Sequence, residues 1–196
     1  MKPAVTWPAL CALLAASALI AWPFPHDALD WQPKLIASQP WRAITAAFVH
    51  WTPLHLAANL AGCAVLALLG WRARLGRREA LAGLIALPAT QLALLLRPDL
   101  LRYAGLSGAL HALVAIAALT LLTRPGRDRV IGAAIAAGLV LKLALEHPLG
   151  PVLHSTPAFD FPVAPFAHLS GAFAGLLAWR LTMRPIDKNT RNPHGT

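Results

Sequence analysis

Residues 50–74 read HWTPLHLAANLAGCAVLALLGWRAR. From Pro53 to Trp71 the stretch carries no acidic side chain, lysine or arginine, and it then runs into Arg72 and Arg74. An apolar run of about 18 residues or more marks a helix that crosses a bilayer. Yet His55 and Asn59 lie inside this run, with His50 just ahead of it. Polar groups in a membrane helix are expensive and are a functional hypothesis by default.

Five more runs resemble it, which gives six helices at 4–22, 53–71, 79–96, 107–123, 129–146 and 164–183. Each can span a hydrocarbon core about 30 Å thick at 1.5 Å per residue. The composition agrees, with 57% hydrophobic and only 13% charged residues, where a soluble domain carries about a quarter charged. Trp7, Trp22, Trp51, Trp71 and Trp179 lie near the ends of these runs, where indole rings sit at the headgroup level. Lys2 and the small residues at 16–18 imitate a signal peptide, but the apolar stretch continues to Trp22 and reads as a retained helix. Cys11 and Cys63 form neither a disulfide framework nor a metal-ligand spacing. The expected fold is an all-α membrane protein, a six-helix transmembrane domain over 1–185, followed by a polar, disordered tail at 186–196.

The net charge of +9 describes topology rather than a nucleic-acid partner. Twelve of the 17 basic residues fall at the N-terminus, in the 2–3 and 4–5 connections and in the C-terminal segment, which share one side. Lys34, Arg42, Arg97 and Arg102 are on the other side, and Lys142 is within helix 5. The positive-inside rule then puts both termini in the cytoplasm, with the basic loops against anionic lipid.

With that topology helices 2, 4 and 6 all start at the extracytoplasmic face. His55, Asn59, Ser107, His111 and His168 then fall in one layer, within about two turns of those starts. His55 and Asn59 share a helix face at i, i+4, as do Ser107 and His111. His168, Gly171 and Gly175 share another, and Gly-xxx-Gly permits close helix approach. Gly105 and Gly108 flank Ser107. A serine hydroxyl becomes nucleophilic when a neighbouring base takes its proton, and histidine does so near neutral pH. No acid lies in the outer halves of helices 2, 4 or 6, so a Ser107–His168 dyad is expected, with Asp160 only a weak orienting candidate. Asn59, His55 and the Ser107 backbone N–H are candidate oxyanion donors, each worth about 3 kcal/mol in a transition state. The plainer alternatives are a helix cap for Ser107 and interhelical hydrogen bonds for His55, Asn59 and His168. Ser170 is two residues from His168 and points to another face. Lys142 pairs with Glu146 at i+4 or snorkels. Thr90, Gln91 and Pro88 serve helix contacts or a kink.

These residues resemble an intramembrane serine protease of the rhomboid family. The resemblance rests on WRAIT at 41–45, His50-xxxx-His55-xxx-Asn59, Gly105-Leu-Ser107-Gly108 and Ala167-His168-xx-Gly171-xxx-Gly175. It covers helices 2 to 6 in order. It implies Ser107 as nucleophile, His168 as general base, and His55 and Asn59 as oxyanion donors, with Gly105 among the substrate-binding residues. It implies His50 as a structural and hydration residue, no cofactor or metal, and a transmembrane protein substrate whose helix enters laterally and unwinds. His111 stands where the family usually has an aromatic ring; it either stacks on or hydrogen-bonds His168, or is a packing residue. Arg74 and Arg78 replace two positions of the Gly-xxx-Glu-xxx-Gly pattern that begins here at Gly70. The compact core and the form GLSGALH are similar to rhombosortases, which implies a bacterial inner membrane, a site facing the periplasm, and substrates with a C-terminal Gly-Gly sorting signal. The rival is a catalytically inactive rhomboid-like chaperone or scaffold.

Overall fold

The computed structural model describes residues 6–183 except 156 and 158. Six long helices follow in order among them: α1 Trp7–Ala21, α2 Pro53–Arg72, α3 Arg77–Leu92, α4 Ser107–Leu122, α5 Arg127–Glu146 and α6 Pro165–Met183. Strand pairing among the described residues is confined to two isolated bridges, Trp31 with Tyr103 and His154 with Val163. The all-helical class is as expected, and the tail read at 186–196 lies outside the described residues.

Local chemistry explains where the helices begin. α1 and α2 carry proline in the first turn, where a missing N–H loses no helical bond. Thr52 caps α2, its hydroxyl oxygen accepting from the His55 N–H at 3.1 Å. At the head of α3 the Glu79 carboxylate accepts from the Gly76 N–H at 2.8 Å, on the side of the helix dipole that favours an anion. Pro88 lies inside α3, which tightens into a 3₁₀ turn at Ala93–Leu96.

α4 is the central helix, packed against α2, α3, α5 and α6. It is apolar around most of its circumference, and Ala109, Leu113, Ile116 and Ala117 are buried, as befits a helix enclosed on all sides. Its tightest neighbour is α6. A Cβ built on Gly171 would collide with the Gly108 carbonyl, and one on Gly175 with the backbone of Ala112. Gly108 in turn lies against the Ala167 carbonyl and the Thr90 methyl. The two backbones touch because these positions have no side chain.

α1 packs on α2 through Trp7, and here the sequence reading of an indole at the headgroup level is corrected. Trp7 is fully buried. Its ring fills the space over Gly70, and its Nε1–H donates to the Leu66 carbonyl at 2.8 Å. The side-chain-free Gly70 makes a slot that an apolar ring fills, and the indole N–H finds a carbonyl inside it.

Between α1 and α2 the chain forms a capping segment with short helices at His26–Leu29 and Arg42–Thr45. Buried Asp30 anchors it. Its carboxylate accepts from Arg42 at 3.2 Å and from Arg102 at 2.7 Å. The Trp31–Tyr103 bridge adds backbone bonds of 2.8 and 3.2 Å. This ties the WRAIT stretch to the loop that leads into α4.

The outside of the bundle is apolar. Ile20, Val65, Leu68, Val140, Phe173 and Leu181 are all exposed. A soluble monomer does not leave so wide an apolar surface in water, and this girdle belongs in lipid. Pro53–Arg72 and Arg77–Leu96 are each long and apolar enough to cross a membrane, while Trp7–Ala21 and Ser107–Leu122 are apolar but shorter.

Gly171→Ala forces α4 and α6 apart and lowers the melting temperature in detergent by several degrees, about 1–3 kcal/mol of overpacking. Gly138→Ala, where a Cβ would meet nothing within 4 Å, leaves it unchanged or raises it, because alanine is the better helix former by about 1 kcal/mol. Thermal unfolding of the two variants side by side checks both.

Candidate active site

The α4–α6 contact brings Ser107 and His168 together. Ser107 is the first residue of α4; the cap position is Leu106, with no side-chain capping bond. The Ser107 hydroxyl lies 3.0 Å from His168 Nε2. On the other edge of the ring, His168 Nδ1 lies 2.7 Å from Glu146 Oε2. An ionised carboxylate only accepts, so Nδ1 carries the proton and Nε2 is left as the acceptor for the serine hydroxyl.

One face of the His168 ring is covered by His111. The two imidazoles stack at 4.1 Å between centroids and 12° between planes. His111 is held in that pose by its own Nδ1–H, which donates to the Ser107 carbonyl at 2.7 Å. Of the alternatives open for His111, stacking is therefore the one observed.

His55 and Asn59 face the same cavity from α2. Asn59 is buried, and one of its two amide protons is donated to the His55 carbonyl at 3.1 Å. His55 stacks on Phe161 at 4.1 Å and meets His50 edge-on at 4.7 Å. Its Nε2 lies against Gly105, whose φ of +119° lies outside the range of ordinary side chains. Gly105 is fixed from both sides. Its N–H donates to the Ala46 carbonyl at 2.9 Å, and its carbonyl accepts from the Tyr103 hydroxyl at 3.0 Å. Burial pushes the Tyr103 phenol up from its ordinary range, so it stays a donor.

Ser107, His168, Glu146, His111, His55 and Asn59 line a cavity of about 260 Å³ that also includes Trp51, Phe159 and Lys142, with His50 and Gly105 outside its wall. A larger open depression of about 700 Å³ beside it shares Trp51, Leu153 and Pro162 with the cavity wall. The first-turn amides of α4, unpaired within the helix, add a positive dipole end on the Ser107 side.

Asp160, Ser170 and Lys142 have other partners. Asp160 accepts from the Thr52 hydroxyl at 2.7 Å and ties the α5–α6 loop to α2 instead of orienting His168. The Ser170 hydroxyl donates to the carbonyls of Ala167 and Thr90. Lys142 pairs with Glu146 at 2.5 Å, as its spacing suggested. The residues that sequence reasoning missed are Glu146 as a partner of His168 and Phe161 as a partner of His55. Glu146 lies on α5, outside the three helices whose starts define the polar layer in the sequence. α5 runs the other way, so its last residue reaches the same layer as their first ones.

His111, Glu146 and His168 each bring a ligand atom within 4.8 Å of the others. The two imidazoles are stacked, however, so a single ion cannot lie in the plane of both rings, where nitrogen lone pairs point. The set fits proton transfer better than metal binding.

A family model described as Rhomboid domain matches residues 37–185, which include every residue of this cavity. Comparison with curated proteins gives no match.

His50 supplies a pH test of the packing around the cavity. It is buried, and burial pushes its imidazole down from 6.5 to about 4, against a weaker upward pull from its bond to the Phe48 carbonyl. Between about pH 6.5 and 4 the unfolded chain binds a proton here that the folded chain does not, so stability falls as pH falls through that window. His50→Asn has a shallower acid slope of melting temperature than the parent; parallel slopes would contradict the buried, neutral histidine.

Proposed function

The chain belongs to the rhomboid family, and from that premise we propose that it is an active intramembrane serine endopeptidase that uses Ser107 and His168. Members of the family are serine proteases that act on transmembrane substrates within the membrane. The observation that carries the activity is the 3.0 Å contact between the Ser107 hydroxyl and His168 Nε2. A general base must lie within about 2.6–3.2 Å of the proton it takes.

In the reaction Ser107 Oγ attacks the scissile carbonyl as its proton passes to His168 Nε2. The tetrahedral oxyanion is held by the free amide proton of Asn59, by His55 and by the Ser107 N–H at the positive end of α4. His168 then gives the proton to the leaving amine, the C–N bond breaks, and an acyl-enzyme remains. Water, activated by the same histidine, releases the acid product.

The site lies in the membrane on this reading. α4 has 16 residues, about 24 Å of helix against a hydrocarbon core of about 30 Å. With six spans and both termini cytoplasmic, Ser107 is recessed below the extracytoplasmic surface and reached from that side. The distribution of basic loops supports this orientation, which in a bacterial inner membrane faces the periplasm.

The substrate class we assign is the rhombosortase type, a membrane protein with Gly-Gly ahead of its transmembrane segment. Two features support it. The cavity of about 260 Å³ is walled by Phe161, Trp51 and His111, which suits residues with little or no side chain. His111, a feature of the GLSGALH stretch, stacks on His168 in the place of the family's usual aromatic ring.

A serine-directed fluorophosphonate probe in membranes, with a co-expressed Gly-Gly substrate, tests the reading. The parent is labelled and cleaves; Ser107→Ala and His168→Ala do neither. Asn59→Ala loses about 100-fold or more in kcat. Labelling that survives Ser107→Ala refutes the nucleophile. A stably folded parent that is neither labelled nor cleaving points to the inactive chaperone or scaffold instead. Mass analysis of the new C-terminus separates hydrolysis from transfer to an amine.

A further inference from the structure

The geometry points to Glu146 as a third functional member of the site, a positioning residue that acts through His168 and turns the expected dyad into a Ser107–His168–Glu146 relay. The inference rests on the reading of Ser107 and His168 as nucleophile and base.

Three contacts define the pose of the His168 ring. Glu146 Oε2 accepts from Nδ1 at 2.7 Å, His111 covers one face at 4.1 Å, and Nε2 meets the Ser107 hydroxyl at 3.0 Å. Stacking fixes the plane of the ring but not its proton. A neutral imidazole without an acceptor at Nδ1 divides between two tautomers, and only one leaves Nε2 free to act as a base. The carboxylate selects that tautomer.

When the serine proton reaches Nε2 the ring becomes an imidazolium. The negative charge 2.7 Å from Nδ1 stabilises it, while the proton on Nδ1 stays on the ring. The same proton on Nε2 later goes to the leaving amine, so Glu146 begins and ends each half-reaction as a carboxylate. The side chains of His168 and Glu146 are 6% and 20% exposed, and the partial burial strengthens the interaction.

The placement of Glu146 is itself informative. It is the last residue of α5, where a negative charge opposes the helix dipole. A surface lysine pair alone offsets little of that. Here Lys142 takes Oε1 at 2.5 Å and His168 takes Oε2. Both oxygens are engaged, so the carboxylate is clamped in one orientation beside the histidine.

The plain alternative is that Glu146 and Lys142 form an i, i+4 helix pair that merely abuts the site. Kinetics separate the two. Purified Glu146→Gln and Glu146→Asp are compared with the parent on the Gly-Gly substrate, with melting temperatures measured alongside. The relay predicts that Glu146→Gln loses about 100-fold or more in kcat, short of the roughly 10⁴ seen when a fully buried triad acid becomes its amide. KM stays within about twofold, because no substrate contact is removed. Glu146→Asp restores the charge one methylene too short and recovers part of the loss. Glu146→Ala takes the place of the glutamine variant if that one fails to fold: a folded Glu146→Ala or Glu146→Gln within about threefold of the parent in kcat overturns the relay. Ser107→Ala and His168→Ala run in the same assay. If they stay active the underlying assignment fails; if they are inactive while the Glu146 variants are not, only the relay fails.

Discussion

The backbone contact between α4 and α6 is the constraint on which the site depends. Ser107 Oγ and His168 Nε2 can be 3.0 Å apart only if the two helices lie closer than ordinary side chains allow. Gly108, Gly171 and Gly175 supply that closeness, and a Cβ at either Gly171 or Gly175 would strike the backbone of α4. In lipid there is no water to drive apolar surfaces together, so close packing of small residues is a principal source of helix association. The residues that hold the bundle shut are therefore the same ones that assemble the pair.

Everything else at the site sets orientation. His111 and Glu146 fix the plane and the tautomer of His168. Gly105, held at positive φ between the Ala46 and Tyr103 contacts, fixes the turn that points the first residue of α4 into the cavity. The Asp30 cluster with Arg42 and Arg102 fixes the capping segment against that turn. A buried ion pair of this kind is poor evidence of net stability, but removing one partner is destabilising because a buried charge is left alone. Its role here is geometric, tying the WRAIT stretch to the loop that precedes Ser107.

Much of this was legible in the sequence because membrane helices announce themselves by composition. Apolar runs gave the helices, and polar residues inside them gave the layer at His55, Asn59, Ser107 and His168. What stayed hidden depended on tertiary neighbours. Trp7 lies near a run end like an interfacial indole, but the slot over Gly70 takes it inside. Asp160 was the nearest acid in sequence before His168, yet a loop acid goes where the fold sends it, here to Thr52. Glu146 is 22 residues from His168 and adjacent only because α5 and α6 run antiparallel. Its one sequence signal was direction: a helix antiparallel to α4 and α6 ends in the layer where they begin.

The most direct test of the account is a crystal structure of the protein after reaction with a fluorophosphonate. The account predicts phosphorus bonded to Ser107 Oγ, and the phosphonyl oxygen directed at Asn59, His55 and the first amide of α4. His168 should still be stacked on His111, and Gly108 still in contact with Gly171. An adduct on another residue, or a Ser107 adduct whose oxygen points away from α2 with α4 and α6 parted, would contradict it.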